Sequence, residues 1–61
     1  MCELKVYLDE KQVFEDAVYA TVTNGNITLR NILGQVKEFK DCYIAEVDIT
    51  SERLILEKNK H

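Results

Sequence analysis

Apolar residues recur at every second position through most of the chain. Cys2, Leu4, Val6 and Leu8 alternate with Glu3, Lys5, Tyr7 and Asp9, and Val18, Ala20 and Val22 alternate with Tyr19, Thr21 and Thr23. Ile27 and Leu29 alternate with Thr28 and Arg30, and Tyr43, Ala45, Val47 and Ile49 with Ile44, Glu46 and Asp48. A period of two is what a strand with one face toward a core produces. Val13-Phe14, Val36–Phe39 and Leu54–Leu56 are shorter stretches of the same character.

Turn chemistry separates these runs. Asn24-Gly25 is the strongest short-range hairpin signal, because both residue types tolerate positive φ. DEKQ after Leu8, Gly34-Gln35 and TSER after Ile49 mark further turns. One stretch fits a second pattern: Ile32, Val36, Phe39, Tyr43 and Val47 also match helical spacing, and Gly34 costs a helix only about 1 kcal/mol. The clean alternation from Tyr43 to Ile49 favours strands there as well. The prediction is an all-β chain of about six short antiparallel strands forming one small domain over 1–61. Closure into a barrel, complete or partial, removes the exposed edges such strands would otherwise leave.

Alternation also assigns faces. It points Leu4, Val6, Val18, Val22, Leu29, Val47 and Ile49 inward, which leaves Tyr7, Tyr19, Ile32, Ile44 and Ile55 outward. Five outward apolar residues on so small a domain make a contiguous patch, and with it a homodimer, one reading. Length agrees, since a chain of 61 residues buries only roughly 60% of its unfolded surface and gains from a partner or a metal.

Composition narrows the function more than the fold. Hydrophobic residues at 46% and charged residues at 31% are those of a folded domain rather than a disordered chain. No apolar run is long enough to span a bilayer and no secretory pattern opens the chain, so the expected location is cytoplasmic. Net charge is −3, with a pI near 5.0. That balance counts against RNA or DNA, whose binding draws on cationic contacts to phosphate.

An enzyme is not expected. The single histidine, His61, is the last residue, so no Ser-His-Asp or Cys-His arrangement can be assembled around it. The two glycines form no phosphate-cradling loop, and there is no CxxC or zinc-finger spacing. Cys42, leading into an apolar strand, reads as a packed thiol. Cys2 differs because a free amine stands beside it. Amine and thiol, with pKa values of about 7.7–8.0 and about 8.5, yield their protons to a metal more readily than lysine does. If Met1 is removed, Cys2 carries amine and thiolate on one residue. If Met1 stays, its amine, the Cys2 amide nitrogen and the Cys2 sulfur form fused chelate rings. Either set suits a tetragonal or square-planar ion, Ni(II) or Cu(II), better than tetrahedral zinc. A lone cysteine is a weak motif by itself.

The N-terminal Met-Cys, LKVYL, the hairpin TVTNGNITL, NILGQVKEF, EVDIT and LILE together resemble the CooT family. These are small nickel-binding proteins associated with carbon monoxide dehydrogenase maturation, also catalogued as predicted RNA-binding proteins. The resemblance covers nearly the whole chain, and Met1-Cys2 is its most specific element. It implies an SH3-like small barrel, a homodimer, and a Ni(II) site built around Cys2 with Met1 beside it. One nickel shared per dimer is the simplest form, delivered to or stored for a carbon monoxide dehydrogenase. The absence of a histidine-rich tail argues against a bulk store. The alternative is a small-barrel RNA-binding or protein-interaction module in which Cys2 only caps the inner face of the first strand.

Overall fold

Asn24 and Gly25, at φ 52° and 78°, form the two-residue turn that their sequence predicts, and the strands on either side pair from Thr23↔Asn26 onward. The computed structural model describes residues 3–60 of the chain. Six strands follow in order: β1 (Leu4–Leu8), β2 (Lys11–Thr23), β3 (Asn26–Asn31), β4 (Val36–Phe39), β5 (Cys42–Asp48) and β6 (Arg53–Lys58). They form one sheet in the order β4-β3-β2-β1-β6-β5, with no helix among the described residues. The helical spacing between Ile32 and Val47 thus falls on a turn and two strands.

β2 organises the sheet. Where the sequence shows two apolar stretches, Val13-Phe14 and Val18–Val22, the chain makes one strand of 13 residues. Its first half pairs with β1 and its second half with β3. Between Phe14, opposite Val6, and Ala17, opposite Leu4, β2 carries one residue more than β1 does. Asp16 takes up the extra length at φ 57°. Such a bulge bends its strand and increases twist, and here it folds the β3–β4 side of the sheet toward the β6–β5 side.

Four of the five pairings are antiparallel, as expected, but β1 and β6 run parallel from Lys5↔Arg53 to Leu8↔Leu56. Parallel neighbours need a long connection, and here β2 to β5 supply it. The barrel is of the partly open kind, with β4 and β5 as edges. The start of β5 is stitched to the β2–β3 hairpin: Cys42 N donates to Gly25 O at 2.8 Å, and Asp41 N to Asn26 Oδ1 at 3.1 Å.

The core lies between the folded halves and comprises Val6, Ala17, Ile27, Leu29, Phe39, Cys42, Leu54 and Leu56. Lys37 closes one end of it. Opposite Leu29 in the ladder, it carries its ammonium over the Phe39 ring, 5.4 Å from the centroid, to the carbonyl of Val13 at 3.3 Å. A lysine stem covers apolar surface in this way while its charge stays solvated.

Two expectations about faces need correction. Ile44, expected outward, sits opposite Leu56 and packs against the core. A register shift between Ile44 and Glu46 inserts Ala45, so Ile44 and Val47 face the same side. Val18, Val22, Val47 and Ile49, expected as core, are 42%, 54%, 53% and 54% exposed. Val22 and Val47 do lie opposite core residues, Ile27 and Leu54. They stand where the partly open sheet leaves its inner face uncovered.

Candidate functional site

Strand β1 is the element from which the predicted metal-binding segment departs. It is bonded on both sides, to β2 and to β6, and Lys5 N donates to Glu52 O at 2.9 Å. Strands buried between two neighbours are the rigid part of a sheet. Met1 and Cys2, the predicted ligands, lie outside the described residues, as does His61.

Cys42 is placed clearly. It opens β5 with 2% of its surface exposed, and its thiol donates to Lys40 O at 3.4 Å. This is the packed cysteine that the sequence suggests, built into the core and turned from solvent. Among the described residues, no three or more His, Cys, Asp or Glu side chains gather in a way that would hold a metal ion.

The carboxylates that do interact serve the turns and strands. Asp48 Oδ1 accepts from Ser51 N at 3.1 Å, which holds its carboxyl below the ordinary range; burial opposes this in part, and Arg53 at 3.6 Å adds a lesser lowering contribution. Tyr43 Oη donates to Glu57 Oε1 across β5 and β6 at 2.7 Å. Losing that hydrogen bond disfavours ionisation, so the phenol's pKa is raised. Both groups are on the surface.

Beside the origin of β1 lies a shallow groove of about 260 Å³, lined by Leu4, Ala17, Val18, Ala20, Ile49 and Leu54 among others. Ala17 and Leu54 of this lining belong to the buried core, while Val18 of β2 and Ile49, just past β5, are exposed. Of these residues, sequence alternation points Leu4, Val18 and Ile49 inward, and Val18 and Ile49 are exposed instead.

A second feature escaped that reading. Asn31 is buried, and its side chain organises the β3–β4 loop: Nδ2 donates to Gln35 Oε1, while Oδ1 accepts from Leu33 N and Gln35 N. Gly34 completes the turn at φ 82°. The loop presents Leu33 at its tip, 76% exposed. The signal available in the sequence was an asparagine three residues before a glycine, which is Asx-turn chemistry.

No helix among the described residues is long and apolar enough to cross a membrane. The family model described as CO dehydrogenase accessory protein CooT matches residues 1–57. The fold is similar to the crystal structure of a protein assigned as CooT from Carboxydothermus hydrogenoformans. That match has a TM-score of 0.86 and 24% identity, covering 97% of this chain and 100% of that one. At this identity the likeness is one of fold. No curated protein sequence matches.

Proposed function

The chain belongs to the CooT family of CO dehydrogenase accessory proteins, and we propose that it serves carbon monoxide dehydrogenase maturation by binding Ni(II) through its Met1-Cys2 segment. Nickel is cargo here, and the protein performs no catalysis of its own. It acts as a homodimer in the cytoplasm, where a thiol stays reduced. Two chains bring two Cys2 sulfurs to one ion.

The donor chemistry supports the reading. A thiolate, an amine and a backbone amide nitrogen form a strong-field set that favours square-planar Ni(II). With Met1 retained, the amine is its own. With Met1 removed, the amine belongs to Cys2.

The observation that carries the assignment to the N-terminus is the burial of Cys42. Its sulfur is spent on core packing and on the Lys40 carbonyl. Cys2 is the other thiol in the chain.

Titration of Ni(II) into wild type, Cys2→Ala and Cys42→Ala, followed by thiolate-to-metal absorption, tests this. Charge-transfer bands should vanish in Cys2→Ala and persist in Cys42→Ala. Retention of wild-type affinity by Cys2→Ala would falsify the assignment. Native mass spectrometry of the same samples reports Met1 retention and the number of nickel ions per dimer. Salt-sensitive RNA binding that survives in Cys2→Ala without metal would instead support the interaction-module reading.

A further inference from the structure

The chain has four asparagines, and the structure treats one of them differently. Asn31 is held on both side-chain atoms in the β3–β4 loop, Asn26 Oδ1 accepts from Asp41 N, and Asn59 Nδ2 donates to Asp41 Oδ1 at 3.1 Å. Asn24 is exposed at the tip of the β2–β3 hairpin, and its side-chain amide has no partner among the described residues. It is also the one asparagine followed by a glycine.

That neighbour supplies a nucleophile. Gly25 has no side chain to obstruct its own amide nitrogen, and Gly25 N donates to no other described group. Once deprotonated, this nitrogen can attack Asn24 Cγ. The N–Cγ bond forms, the Cγ–Nδ2 bond breaks, and the side-chain nitrogen leaves as ammonia with the proton. Water then opens the resulting succinimide. Addition at Cγ restores the main chain and leaves aspartate. Addition at the backbone carbonyl carbon breaks its bond to Gly25 N, so the main chain runs through Cβ as isoaspartate. Ammonia is exchanged for water, and neither oxidant nor reductant is needed.

We propose that Asn24 is a site of spontaneous deamidation, and that its isoaspartate product unfastens the start of β5 and uncovers the Cys42 thiol. The hairpin tip is where a longer main chain matters. The two-residue turn sets the register that begins at Thr23↔Asn26, and it places Gly25 O to accept from Cys42 N at 2.8 Å. Hairpin register follows loop length. Isoaspartate lengthens the tip by one methylene and adds a carboxylate, which displaces Gly25 O from Cys42 N. Cys42 is the first residue of an edge strand and is buried. With that bond lost, the start of β5 opens and the sulfur meets solvent.

Ageing the full chain at mildly alkaline pH tests this, in a Cys2→Ala background that leaves Cys42 as its one thiol. Peptide mapping should find isoaspartate at position 24, labelled by an isoaspartyl carboxyl methyltransferase, and its rate of appearance should rise with pH. Asn24→Gly keeps a turn-competent residue and should give none. In the isoaspartate fraction, separated by ion exchange, Ellman's reagent should reach Cys42 about tenfold faster, the change in local opening that loss of one hydrogen bond allows. Asn24→Asp adds the charge without the methylene and should react at the unmodified rate. An Asn24 that stays intact in the folded protein, over the interval in which the urea-unfolded chain deamidates, overturns the site. Isoaspartate with an unchanged Cys42 rate, or an equal gain in Asn24→Asp, overturns the structural consequence.

Discussion

Asn31 and Gln35 are joined twice, once by Asn31 Nδ2 donating to Gln35 Oε1 at 2.7 Å and once by Gln35 N donating to Asn31 Oδ1 at 2.9 Å. The buried amide thus stands in for a missing stretch of ladder between β3 and β4. Asn31→Leu would leave the Leu33 and Gln35 amides without their acceptor, at a cost of about 1–3 kcal/mol. Asn31→Asp keeps that acceptor and should cost less. Urea denaturation of the two variants orders them, and equal losses would argue that Oδ1 is not the important atom.

The β1–β2 turn is strained where the β2–β3 turn is not. Asp9 and Glu10 hold φ of 54° and 66° without a glycine, whereas Asn24 is followed by Gly25. Left-handed backbone costs a side-chain-bearing residue roughly 1–2 kcal/mol, part of which glycine returns as unfolded-state entropy. Glu10→Gly should therefore stabilise the domain by about 0.5–1 kcal/mol. A lower urea midpoint in this variant would contradict the turn geometry.

Leu29 and Val47 lie on the same face of the sheet yet differ in cover. Leu29 is fully buried and Val47 half exposed. Leu29→Ala should cost about 2–5 kcal/mol, enough to unfold a domain of this size under mild conditions. Val47→Ala should stay within about 0.5 kcal/mol. Thermal denaturation separates the two, and comparable losses would mean that the mouth of the barrel is closed in solution.

Asp48 gives stability a dependence on acid. Its carboxyl is held below the ordinary value of 3.8, first by the Ser51 amide and also by Arg53. In the interval between the folded and unfolded values the unfolded chain binds more protons, so stability rises with pH there. The contribution is complete above 3.8 and disappears as pH falls through the lower folded value. Asp48→Asn should flatten this part of the acid limb. An unchanged limb, measured by urea midpoints from pH 5 to pH 2, would show that other carboxylates dominate.

The period of two and the turn residues were enough to determine the class of fold. They located the six strands, the Asn24-Gly25 hairpin and the packing of Cys42. They also singled out Cys2 as the candidate metal ligand, an expectation drawn from residue chemistry rather than from the fold. What they could not determine is coverage. Alternation assigns a side chain to a face, but burial requires another layer over that face, and long-range pairing supplies the layer. The bulge at Asp16, the parallel pairing of β1 with β6 and the inserted Ala45 decide where the two halves meet. They bury Ile27 and Leu56 and turn Ile44 inward, while Val22 and Val47 stay open to solvent. The groove beside β1 exists for that reason: Val18 and Ile49 carry a core pattern, and the tertiary structure leaves them exposed beside the buried Ala17 and Leu54.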